Sequence, residues 1–163
     1  MNFLELAPHW LCPPGAGVFT AHTASEKRAR LQQQLYGKQD PREAWLATLR
    51  KLHNESVAIL GVPSDAGGGI QRGANWGPLY VRDFVLQDGA LAAIDLGDVR
   101  VIPHLLHDKY LNDATLRECR QALYQRPDSS WPVSPLSLAE AAASAFYRQY
   151  PQGRLFGIGG DHS

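Results

Sequence analysis

The stretch Gly157-Ile158-Gly159-Gly160-Asp161-His162-Ser163 sets an imidazole and a carboxylate directly after a short apolar run ending in glycines. Such a run reads as a buried strand, and a histidine at the C-terminal end of a strand is well placed to be a metal ligand. A neutral imidazole combined with carboxylates suits a borderline or hard divalent ion such as manganese. One histidine does not complete a site, and the alternative for His162 is a hydrogen-bonded structural residue. Adjacent Asp161, His162 and Ser163 do not form a hydrolytic triad. Neighbours on a strand point to opposite faces, whereas a triad is gathered in space. No G-x-S-x-G elbow occurs either.

A second chemical segment is the glycine-rich loop Ser64 to Gly77. Asp65 there has two readings, contact with a substrate or metal shell, or capping of the loop's own backbone. Arg72 also has two, a substrate contact or a clasp holding the loop through backbone carbonyls. Phosphate binding is poorly supported: Gly67 and Gly69 fit a G-x-G-x-x-G start, but the third position is Arg72, and G-x-x-x-x-G-K-[ST] is absent. His104, His107 and Asp108 form another possible metal cluster, but Pro103 and the polar residues after it suggest a surface loop. Asp98, after Gly97, reads as a cap at a strand end. Gly61, Gly73, Gly77 and Pro78 shape a turn and a helix start, and Trp76 is a packing or subunit-contact residue.

These residues need a scaffold, and the pattern between them supplies one. The runs 56–63, 91–98 and 154–160 are short and apolar, as expected of strands buried on both faces. Helices are expected at 25–36 with Ser25 as N-cap, and at 40–53 with Asp40 capping and Pro41 at the first turn. Further helices are expected at 77–87, at 112–125, and at 134–151 with Ser137 and Glu140 as a capping box. Pro8, Pro13, Pro14, Gly15 and Gly17 make the first two dozen residues read as a surface arm. Strands alternating with helices argue for an α/β fold with a parallel sheet, whose strand ends carry the ligand sites. The chain divides into N-terminal arm and helices at 1–55 and an α/β region at 56–163.

Composition narrows the function further. Sixteen basic and sixteen acidic residues cancel, and no block of like charge favours nucleic acid or a membrane surface. Two cysteines are too few for a disulfide framework, which points to a reducing, cytoplasmic setting. No run approaches the roughly 18 apolar residues of a membrane span.

Taken together, three segments resemble the ureohydrolase family of arginases, agmatinases, guanidino-acid hydrolases and formimidoylglutamases. "ILGVPSDAGGGIQRGANWGPLYVRD" resembles the family's opening strand, loop and helix, "AIDLGDVRVIP" its second strand, and "GIGGDHS" its first metal motif. The resemblance covers about Ser56 to Ser163. It implies a three-layer α/β/α, arginase-like fold, of which about the first three strands are present. It also implies a pair of manganese ions sharing a bridging hydroxide that attacks a guanidinium or amidine carbon. His162 is then a ligand of one ion and Asp161 a supporting neighbour, with Asp65 and Arg72 in the substrate loop. The partners implied are a small guanidino or amidino substrate and either further copies of the chain or a complementary C-terminal piece.

The family's remaining ligands come from Asp-x-His-x-Asp and Asp-x-Asp motifs, and neither occurs in these 163 residues. The expectation is therefore the N-terminal part of such an enzyme, inactive as this chain alone. The alternative is a non-catalytic α/β binding or assembly module.

Overall fold

The computed structural model describes residues 2–18, 24–67, 72–87, 89 and 92–160. Four strands form one sheet in the order β1-β3-β2-β4. They are β1 (Leu11–Cys12), β2 (Val57–Val62), β3 (Ile94–Val99) and β4 (Arg154–Gly159). The three strands expected from the apolar runs are present and mutually parallel. The sheet as a whole is mixed, because β1 adds an antiparallel edge strand, with Leu11 opposite Val99 and Cys12 opposite Asp98.

That strand corrects the reading of the first residues as a surface arm. α1 (Phe3–Trp10) starts at a capping box: Glu5 N–H donates to Asn2 Oδ1 and Asn2 N–H to Glu5 Oε2, each at 2.9 Å. Its buried residues Phe3, Leu6, Ala7 and Trp10 recur at the helical spacing of one apolar face. That face is large enough to hold the helix in the core although Pro8 lies within it.

The remaining helices are α2 (Ser25–Tyr36), α3 (Pro41–Leu49), α4 (Gly77–Gln87), α5 (Asp113–Tyr124) and α6 (Pro135–Gln149). Asp40 caps α3 through the N–H groups of Arg42 and Glu43, as its sequence indicates. Two other caps differ. Ser25 is the first helical residue of α2, preceded by Ala24 at φ 61° with no side-chain cap. The cap of α6 is Ser134, whose oxygen accepts from Ser137 N–H. Pro135 is pre-shaped for the first helical position, so the cap of α6 falls three residues before Ser137.

Helices cover both sides of the sheet. Ala58 and Leu60 of β2 enter one core with Leu138, Ala142 and Phe146 of α6, Phe3 and Leu6 of α1, and Trp45 of α3. Gly61 faces the other way, toward Arg82 of α4. Among the described residues no helix is long and apolar enough to cross a membrane.

Candidate functional site

The C-terminal ends of β2 and β4 converge. Gly160 N–H donates to Val62 carbonyl at 3.2 Å, extending the β2–β4 register past the last strand residue. Gly160 lies so close to the loops that a Cβ there would overlap the Ser64 carbonyl and approach that of Ala74 to 2.5 Å. Gly77, at the start of α4, is equally tight, since its Cβ would lie 2.6 Å from the Gly159 carbonyl. Glycine at 160 and 77 thus permits three segments to meet: the loop after β2, the first turn of α4, and the end of β4. Asp161 and His162, which follow directly in sequence, lie outside the described residues.

Asp65 and Arg72 are brought together in that loop. Arg72 Nη1 donates to the Asp65 carbonyl at 2.6 Å, and Gly73 N–H donates to Asp65 Oδ2 at 3.1 Å. Asp65 N–H in turn donates to the Pro103 carbonyl at 2.7 Å, tying this loop to the one after β3. Of the two readings for each residue, the geometry matches the loop-holding one: Arg72 clasps a backbone carbonyl and Asp65 caps Gly73, which sits at φ 126°. Asp65 keeps one feature beyond that role. It is 4% exposed, and its Oδ1 has no hydrogen-bond partner among the described residues. A buried carboxylate oxygen left over at a strand end is a free acceptor, since such oxygens are ordinarily satisfied.

The strongest polar cluster joins Asp98 to two residues the sequence reading gave no role, Arg82 and Asp95. Arg82 of α4 is 1% exposed. Its Nε and Nη2 form a fork onto Asp95 at 2.7 and 2.8 Å, and its Nη1 donates to Asp98 Oδ1 at 2.5 Å. Residues three apart on a regular strand face opposite ways. Here the β2–β3 register shifts and Gly97 takes φ 84°, a bulge that turns both carboxylates toward α4. Asp98 also accepts from Gly15 N–H at 2.8 Å. It therefore holds the N-terminal segment and α4, rather than capping its own strand end.

Burial works against the charge on Arg82, but Asp98 and Asp95 outweigh it and hold the guanidinium above its ordinary value. Burial pushes the Asp98 carboxyl up, and Arg82 opposes that rise. Burial, with Asp98 nearby, raises the Cys12 thiol, so it is protonated and unreactive at neutral pH. The signal in sequence was the presence of Asp95 and Asp98 inside an apolar strand run, where a carboxylate requires a cation.

His107 and Asp108 do not gather as metal ligands. His107 Nδ1 accepts from Lys109 N–H at 3.2 Å, and its Nε2 lies 3.5 Å from Glu140. Asp108 accepts from Val133 and Ser134 N–H and so supports the start of α6. His104 is exposed. Among the described residues no group of three or more His, Cys, Asp or Glu side chains could hold a metal ion.

The class this architecture defines is an α/β protein with a four-stranded mixed sheet and helices on both sides. In comparisons with protein-family models, curated proteins and solved structures, the chain matches none.

Proposed function

We propose that the chain is the N-terminal part of a manganese-dependent ureohydrolase of agmatinase or arginase type. Its reaction is hydrolysis of a C–N bond in a small guanidino or amidino compound. The observation that carries this reading is the convergence of the β2 loop, the α4 start and the β4 end on Gly160, the residue before Asp161-His162. The first and third segments that resemble the family thereby meet at one end of the sheet, where α/β proteins bind ligands, and the Asp65 N–H bond to the Pro103 carbonyl ties the second to them. The further expectation of an arginase-like three-layer fold belongs to the same proposal.

Within this reading His162 is a manganese ligand and Asp161 its neighbour, while Arg72 and Asp65 keep the substrate loop in shape. The described residues do not by themselves fit a metal pair. They offer the free oxygen of Asp65 as a hard donor, and one imidazole added to it cannot hold two ions of a weakly binding metal. No catalytic step is therefore assigned to them, and this chain alone is expected to be inactive. The absence of Asp-x-His-x-Asp and Asp-x-Asp from the sequence equally favours a second reading, a non-catalytic module of the same fold. On either reading the outer edge of β4 pairs with a further strand, from another copy or from a complementary C-terminal piece, and the protein works in the cytoplasm.

The test begins with the coding sequence after Ser163. If Asp-x-His-x-Asp follows, the longer product should release urea or formamide from agmatine, arginine, guanidinobutyrate or a formimino compound with manganese, and His162→Ala should lower the rate at least about tenfold. No such motif would leave the module reading. Robust turnover by these 163 residues alone would overturn the incomplete site.

A further inference from the structure

The outer side of β4 carries backbone groups that the fold leaves open. Arg154 N–H donates to the Ser56 carbonyl and Gly160 N–H to that of Val62. In this parallel ladder residues 154, 156, 158 and 160 therefore turn their backbone groups toward β2, and residues 155, 157 and 159 turn theirs outward. No described strand lies on that side. The N–H of Leu155 is taken, since it donates to the Tyr147 hydroxyl at 3.3 Å. What remains is a short row: the Leu155 carbonyl and both groups of Gly157 and Gly159.

This row is self-complementary. Turned about a two-fold axis through Gly157, two copies of β4 pair antiparallel. Each Gly157 N–H then meets the Gly157 carbonyl of the other copy, and each Gly159 N–H meets the Leu155 carbonyl, with no existing bond displaced. The same register sets Phe156 opposite Ile158 of the second copy, on both sides of the axis, as a stabilising aromatic–aliphatic pair. It also keeps the strand's one charge, Arg154, at the two far ends opposite Gly160, so no like charges face each other. A register centred on Ile158 would place Phe156 opposite Gly160 and lose that pair.

The helix above the edge fits the same arrangement. α4 packs against both β2 and β4, on the face that carries Phe156. Asp83 ties one flank of α4 to Lys27 of α2. Val81 lies about 200° round the helix from Asp83, and Val81, Phe84 and Val85 are all exposed. With strands about 4.8 Å apart, the axis through Gly157 brings the two α4 helices to roughly 10–14 Å from each other. Close-packed helices stand about 8–10 Å apart, so the large side chains of this flank meet over the Phe156–Ile158 pairs.

We propose that β4 is a self-association edge whose occupant is a second copy of this chain, paired antiparallel about Gly157 with the two α4 helices alongside. The proposal rests on the edge pairing stated under the proposed function and commits it to one partner; the metal chemistry is not needed for it, and urea release by a longer product tests that chemistry separately.

Sedimentation equilibrium of the purified chain from about 5 µM to about 1 mM should show a passage from one copy to two, with a Kd below about 100 µM. Gly157→Lys sets two ammonium groups face to face at the axis and should weaken association at least about tenfold, leaving the melting temperature of the dilute, single chain unchanged. A cysteine at the axis reads the register. Residues that exchange hydrogen bonds across an antiparallel pair have Cα atoms about 5.5 Å apart, within disulfide reach, and a Cβ on Gly157 meets nothing within 4 Å. Gly157→Cys should therefore link two copies on mild oxidation, whereas Leu155→Cys, whose two copies lie about 14 Å apart, should not. Cys12 and Cys119 are buried, so the wild type serves as control. A chain that stays single up to about 1 mM would overturn the proposal and leave a complementary C-terminal piece as the occupant. So would a dimer that Gly157→Lys leaves intact, or one that Leu155→Cys links and Gly157→Cys does not.

Discussion

The two flanks of the sheet are built from similar sequence and finished very differently. "AIDLGDV" and "RLFGIG" are both short, apolar and glycine-containing. On the first flank, β3 is closed by β1: Leu11, Leu96, Val99 and Val101 are each 1% exposed or less, and Asp98 and Arg82 stitch strand, helix and N-terminal segment together. On the other, β4 pairs only with β2 among the described residues, and Phe156 is 58% exposed. Phe156 pairs with Ile59 and so faces the side covered by α4. There α4 itself presents Phe84 and Tyr80, 67% and 54% exposed. An open edge whose charge is confined to Arg154 at its start invites another strand. Enclosure is thus a property of what pairs with a strand, not of the strand's own residues.

If that contrast is right, the sealed flank should be far the more sensitive. Arg82→Ala leaves two carboxylates buried without their cation, and a loss of about 3–5 kcal/mol is expected in urea unfolding. Arg82→Lys should recover little of it, because an ammonium cannot fork onto Asp95 and reach Asp98 together. Gly97→Ala should cost about 2–4 kcal/mol by the same measurement, since a side chain there meets the Cys12 carbonyl at an unfavourable φ. The smallest effect belongs to the open flank. Phe156→Lys should change unfolding free energy by less than about 0.5 kcal/mol, yet reduce any concentration-dependent association seen by light scattering. A large stability loss at Phe156, or a silent Arg82→Ala, would invert the comparison.

Much of the scaffold could be read from local pattern. Continuous apolar runs marked β2, β3 and β4, and Asp40 with Pro41 marked the start of α3, because burial on both faces and capping leave local signatures. α1 and β1 escaped, although Phe3, Leu6, Ala7 and Trp10 carry the helical spacing. Pro8, Pro13, Pro14 and Gly15 argue for irregular chain, and only docking against α6 and β3 decides otherwise. Arg72 and Asp65 were legible as loop-holding residues, since a long glycine-rich loop needs internal ties. Arg82 was not legible, because its two partners share a face only after the bulge at Gly97, which depends on the register between strands.

Hydrogen exchange resolved by residue tests the two-flank account most directly. Arg154 N–H donates to Ser56 and Gly160 N–H to Val62, so strand alternation turns the N–H groups of Gly157 and Gly159 to the outer edge. In dilute, monomeric chain these two amides should exchange at close to unprotected rates, while those of Leu96 and Val99 in β3 exchange only with opening that approaches global unfolding. Equal, strong protection of Gly157 and Gly159 in a verified monomer would mean that the β4 edge is already covered, and would contradict the account.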